Sequence, residues 1–111
     1  MFPVAALAQE IEQGVGLICN TQAQVERHVA IVDGDVSAAV TGVNAEAQST
    51  SACGLAPVAY VRVANLSTVS NKHGTFKVVG IVVIGIVTPA GLRPVPPLEQ
   101  VTLFRVDDRG A

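Results

Sequence analysis

The chain has 111 residues and a net charge of −2; half of its residues are hydrophobic and only 14% are charged. This length fits one domain with one core, and so low a charge content argues against disorder. The seven Lys and Arg residues are scattered and form no basic stripe, which argues against a nucleic-acid partner.

The first residues are predicted to be the end of a secretory leader. Ala6-Leu7-Ala8 has the small-x-small pattern of a signal-peptidase site, with cleavage before Gln9. A basic first region and a full apolar stretch are missing, so residues 1–8 are interpreted as a remnant of the signal peptide. Residues 9–111 then form a single mature domain. The alternative is an ordinary Ala-rich helix start or a fraying terminus.

The two cysteines, Cys19 and Cys53, are the only ones in the chain. They form no C-x-x-C pair and have no Cys/His spacing typical of a metal site, so we predict one structural disulfide bond. A disulfide bond indicates an oxidising compartment, which together with the leader predicts a periplasmic or secreted protein. The alternative is a pair of buried reduced thiols.

The first half of the chain predicts one strand followed by helical structure. An apolar, glycine-flanked stretch at 14–19 favours a strand, and Thr21 with Gln24 has the form of a capping box that begins a helix at 22–32. Valines recur on one face of that helix. Gly34 and Asp35 then predict a break and a new N-cap, with a second helix at 36–47. One kinked helix is the alternative.

The second half predicts three more strands. The interpreted segments are a strand at 58–66, a turn at 71–74, a long strand at 75–87 covered on both faces, a turn at 88–91, an extended connector at 93–97, and a last strand at 101–106. The longest apolar run, 78–87, is half the length of about 20 residues that a membrane-spanning helix needs. The predicted fold is α+β, a four-stranded, mainly antiparallel sheet with one or two helices on one face.

No catalytic, cofactor-binding or metal-binding residue is predicted. His28 is expected at the surface of the first helix, and His73 in the 71–74 turn without a role. Asp33 and Asp35 resemble the start of a calcium loop, but the sixth and twelfth positions lack the required Gly and Glu. Asp107 and Asp108 are adjacent, so they do not form a paired acid and base, and we interpret them as a solvated end.

Several stretches resemble a known group of proteins. They are Gly14–Thr21, Gln24–Glu26, Val43-Asn44, Ala52–Gly54, Gly74–Phe76 and Leu103–Gly110. Together they are similar to small, uncharacterised (hypothetical) exported proteins of α-proteobacteria. The resemblance implies a complete signal peptide and a periplasmic or secreted location, and it implies no activity.

Three hypotheses about function follow. The first is a non-enzymatic exported module that binds a partner or ligand or supports an envelope structure. The second is a small envelope hydrolase or metal-dependent enzyme using His28 or His73, which a histidine clustered with acidic residues in a pocket would favour. The third is a subunit that adds an open edge, 58–66 or 101–106, to another chain.

Overall fold

The computed structural model describes residues 10–106, and the predicted leader residues 1–8 and the pair Asp107 and Asp108 lie outside them. The predicted fold class is confirmed: the protein is α+β, with four antiparallel strands in one sheet and two helices. The elements in chain order are β1 (Glu12–Cys19), α1 (Gln22–Ile31), α2 (Val36–Ala47), β2 (Cys53–Asn71), β3 (Gly74–Thr88) and β4 (Gly91–Arg105). No helix within residues 10–106 is long and apolar enough to cross a membrane.

The sheet has the strand order β1-β2-β3-β4 and closes on itself. Short turns join β2 to β3 and β3 to β4, and β1 lies antiparallel against the first part of β2. β4 returns to β1 at a single pair, Cys19 opposite Val101. Beside that pair, the Thr102 hydroxyl donates a hydrogen bond to the Leu17 carbonyl. The sheet therefore has a concave interior and an outer face.

The two helices begin where their capping residues predict. Thr21 and Gln24 form both hydrogen bonds of the capping box, and the Asp35 carboxylate accepts from the Ala38 amide at 3.0 Å. α1 ends at Val32, which is extended, so the end of this helix needs no left-handed glycine. Gly34, with φ at +87°, makes the turn between two separate helices.

Two apolar cores lie on opposite faces of the sheet. The helices cover the first, where Val25, Val43 and Val78 pack with both cysteines. The second fills the concave interior around Tyr60, Val79 and other aliphatic side chains. β3 supplies both, because neighbouring residues of a strand point to opposite faces. This explains why the sequence of β3 is almost continuously apolar, and it agrees with the prediction that this strand is covered on both faces.

A disulfide bond joins Cys19 to Cys53, as predicted. The two residues are directly opposite each other in the β1–β2 pairing, and both are buried. Asn44 of α2 reaches the same point: its side chain accepts from the Cys53 amide at 2.8 Å and donates to the Cys53 carbonyl at 3.1 Å. The covalent bond therefore closes the helical segment where it leaves and rejoins the sheet.

All four strands are longer than the sequence predicted, and β2 and β4 differ most. β2 begins at Cys53 because its first residues pair with β1. The segment 93–97, predicted as a connector, belongs to β4, with Pro94 opposite Gly85. Pro96 and Pro97 fall in the register shift between Pro94 and Leu98, where the ladder with β3 is interrupted. On its other side, β4 pairs with β1 only at Val101 among the described residues, so this stretch is an edge, where prolines are tolerated.

Loss of the disulfide bond is expected to lower the free energy of unfolding by about 3.5–4 kcal/mol, because the bond closes a loop with a sequence separation of 34. Urea unfolding of the native protein with and without reductant measures this difference. A Cys19→Ala, Cys53→Ala variant is the control, since its midpoint should not respond to reductant. Equal midpoints for the oxidised and reduced native protein would contradict the expectation.

Candidate functional site

A pocket of about 210 Å³ opens at the end of the molecule where the α1–α2 linker meets the β2–β3 turn. Both helices, their linker, the turn and the last two strands contribute to it. The lining side chains are predominantly apolar. The residues that form it are His28, Val29, Val32, Gly34, Val36, Asn71, His73, Phe76 and Leu103.

His28 lies in the wall of this pocket and is only 3% exposed, so the prediction of a surface histidine is wrong. The apolar face of α1 explains the error. Val25, Val29 and Val32 define that face, and residue 28 completes the i, i+3, i+4, i+7 pattern between them. Burial lowers the pKa of His28, because the charged imidazolium is poorly solvated there.

The Nδ1 atom of His28 is buried and has no hydrogen-bonding partner among residues 10–106. Buried polar atoms are nearly always paired, and an unpaired one costs about 1–3 kcal/mol. The helix could carry an aliphatic residue at this position at no such cost. A buried, unpartnered imidazole in a pocket wall is therefore the feature of the fold that most needs a functional explanation.

Asn71 holds the two sides of the pocket together. Its side-chain amide donates to the Val29 carbonyl at 2.9 Å, and its side-chain oxygen accepts from the His73 amide at 2.7 Å. One side chain thus fixes the β2–β3 turn against the last part of α1. The spacing of Val29 and His73 across the pocket depends on this residue.

A small polar cluster forms the rim. The Asp33 carboxylate lies 3.0 Å from Lys72 Nζ and 3.2 Å from His73 Nε2. Hydrogen bonds from Lys72, and then from His73, lower the pKa of Asp33. The structure thus brings His73 to an acidic residue from another element, although the sequence predicted a turn histidine without a role.

Arg105 completes the rim from β4. One guanidinium nitrogen donates to the His73 carbonyl at 2.6 Å, and the group lies 5.6 Å from the centre of the Phe76 ring. Gly74 makes room for it, because a β-carbon at this position would lie 2.8 Å from the guanidinium. The backbone at Gly74 also has a φ of +147°, which disfavours any other residue.

A metal centre is not formed by the described part of the chain, in which no three His, Cys, Asp or Glu residues come together. Asp35 caps α2, as the sequence predicted, and Asp33 is held by cationic side chains. Among the residues that the structure describes, none of those lining the pocket is Ser, Thr or Cys. Its chemistry is that of an apolar binding site with one buried imidazole and a charged rim.

A second cavity, of about 160 Å³, lies between β1 and β4 below the pair that closes the sheet. Gly14 and Gly16 leave space along its wall, and Tyr60 contributes a hydroxyl 3.4 Å from Glu12. Arg62 forms an ion pair with Glu12 at 2.7 Å. Among the described residues, no side chain in the wall of this cavity has a buried polar atom without a hydrogen-bonding partner, whereas the wall of the first pocket includes His28.

The edges suited to strand addition are partly occupied. Residues 58–60 already pair with β1, and Val101 pairs with Cys19. The remaining part of the first edge, 61–66, contains register shifts and carries Arg62, whose guanidinium lies 3.7 Å from the centre of the Phe104 ring. Irregular, charged edges disfavour pairing with another chain.

The sequence matches no protein-family model, no curated protein and no solved structure.

Burial of His28 predicts a pH-dependent stability. Its folded-state pKa lies below the ordinary value of 6.5, so below about pH 6.5 the unfolded chain binds a proton that the folded chain does not. The free energy of unfolding should therefore fall from about pH 7 to about pH 5.5, which is about one pH unit above the ordinary pKa of Glu. Urea unfolding across this range measures the effect.

The matched variants are His28→Leu and His73→Gln. His28→Leu should lose most of the fall, and at pH 7 it should be as stable as the native protein or more so, because it removes the unpaired Nδ1. His73→Gln should keep the part of the fall that is due to His28. A native protein whose stability is unchanged between the two pH values would contradict the interpretation.

Proposed function

We propose that the protein is a non-enzymatic exported module that binds a small, mainly apolar molecule in the pocket around His28. The observation that carries this proposal is the apolar pocket itself, with the buried His28 among its lining residues. Apolar walls with a few polar groups are typical of ligand sites, in which the polar groups orient the ligand.

The size of the pocket limits the ligand. A cavity of about 150 Å³ holds one benzene ring. A pocket of about 210 Å³ therefore suits a molecule of roughly eight non-hydrogen atoms. This size agrees with a short aliphatic chain or a single substituted ring and is too small for a nucleotide or a large cofactor.

Export is part of the same proposal. The disulfide bond supports it, because such bonds persist in oxidising compartments. The small-x-small pattern at residues 6–8 and the resemblance to exported α-proteobacterial proteins point in the same direction. A periplasmic or secreted location stays a prediction, and fractionation of the native host would test it.

Titration with 1-hexanol, followed in ¹H–¹⁵N spectra, is expected to give saturable shifts at Val29, Gly34 and Phe76. Val36→Phe should abolish them, because Val36 lines the pocket and is 43% exposed, so a larger side chain there can fill the space. Val63→Phe is the control, since residue 63 is similarly exposed but outside the pocket. Shifts that do not saturate, or that persist in Val36→Phe, would contradict binding in this pocket.

A hydrolase is the second candidate, and the contact between His73 and Asp33 favours it. A carboxylate can orient a histidine that acts as a general base. The lining offers no nucleophilic side chain, so we expect the protein to cleave 4-nitrophenyl hexanoate no faster than imidazole at the same concentration. A faster reaction that His73→Gln abolishes would support the enzyme instead.

A further inference from the structure

Two cationic side chains, Lys72 and Arg105, lie beside the pocket without lining it. Arg105 contacts His73 and Phe76, which are both lining residues, and Lys72 contacts Asp33, which also contacts His73. Within residues 10–106, Asp33 is the acidic group in contact with this cluster. Among these residues the rim therefore has a net positive charge, whereas the pocket walls are apolar.

Within residues 10–106, the rim also has more hydrogen-bond donors than contacts to protein acceptors. A guanidinium has five N–H donors, and within residues 10–106 Arg105 forms one hydrogen bond, to the His73 carbonyl. Lys72 is 71% exposed in its side chain, and its ammonium group contacts Asp33 alone in that part of the chain. Solvent-facing cationic donors beside an apolar pocket match a ligand whose polar end is an anionic acceptor.

The position of Arg105 is built into the fold. Its guanidinium occupies the space that the missing side chain of Gly74 leaves, against the turn and close to Phe76. Phe76 is itself a wall of the pocket. The guanidinium is therefore next to Phe76 and His73, two residues of the pocket wall.

We propose that the ligand is a small amphipathic carboxylate whose apolar tail fills the pocket while its carboxylate lies at the rim beside Arg105 and Lys72. A tail of roughly six carbons agrees with the pocket volume. This inference rests on the proposed function, since it requires that the pocket binds a ligand at all. It adds the chemical class of the ligand and the residues that select it.

The test compares three probes with one tail: hexanoate, 1-hexanol and hexylammonium, each titrated at low salt and followed in ¹H–¹⁵N spectra. Hexanoate should bind about two- to tenfold more tightly than 1-hexanol, because two exposed ion pairs contribute about that much to affinity. Hexylammonium should bind more weakly than either, because its charge is repelled by the cationic rim. High salt should reduce the preference, because it screens exposed charges.

Variants assign the preference to the rim. Arg105→Gln should lower the ratio of hexanoate to 1-hexanol affinity, and Arg105→Lys should retain most of it. Arg93→Gln removes an exposed cation near the other end of the same strand and should change nothing.

The outcomes separate the two proposals. Equal affinities for hexanoate and 1-hexanol in the native protein, or an unchanged preference in Arg105→Gln, would overturn the carboxylate assignment and leave the binding pocket standing. If neither probe gives saturable shifts, both the ligand class and the proposed function are wrong.

Discussion

The bond between Cys19 and Cys53 is the constraint on which the rest of the structure depends. It joins neighbouring strands where the chain leaves the sheet and where it returns. The helices between these points run away from the bond and back towards it, and Asn44 holds the end of the return path to Cys53. α1 is roughly 15 Å long, so the linker between the helices lies about that far from the disulfide bond. This places the linker at the β2–β3 turn. The pocket exists because the linker and the turn meet there.

Local chemistry allowed much of the fold to be predicted. Thr21 and Gln24, and later Asp35, form hydrogen bonds with residues three positions away, so short sequence patterns were enough to place the helix starts. The Cys19–Cys53 pairing needed no geometry, because only two cysteines exist. The proline-containing segment of β4 was harder, since whether a proline is tolerated in a strand depends on which neighbours that strand has.

The candidate site was not predicted, because its parts are distant in the sequence. Asp33 and His73 are separated by 40 residues, and Phe76 and Leu103 come from strands whose pairing decides which side chains face the helices. The burial of His28 could have been predicted, because the spacing of the valines shows that residue 28 lies on the apolar face of α1. The prediction of a surface histidine is wrong because His28 shares the face of the valines, and position on the helix determines burial more strongly than residue type does.

The division of the apolar interior between two faces of the sheet has a consequence for how such a protein can change over evolutionary time. The pocket borders the helical core, while the concave core lies on the other side of the strands. Side chains of α1 and of the helix linker line the pocket without bordering the concave core, whereas Leu103 borders both cavities. Sequence changes in the helices and their linker can therefore accumulate with little effect on the packing inside the curved sheet.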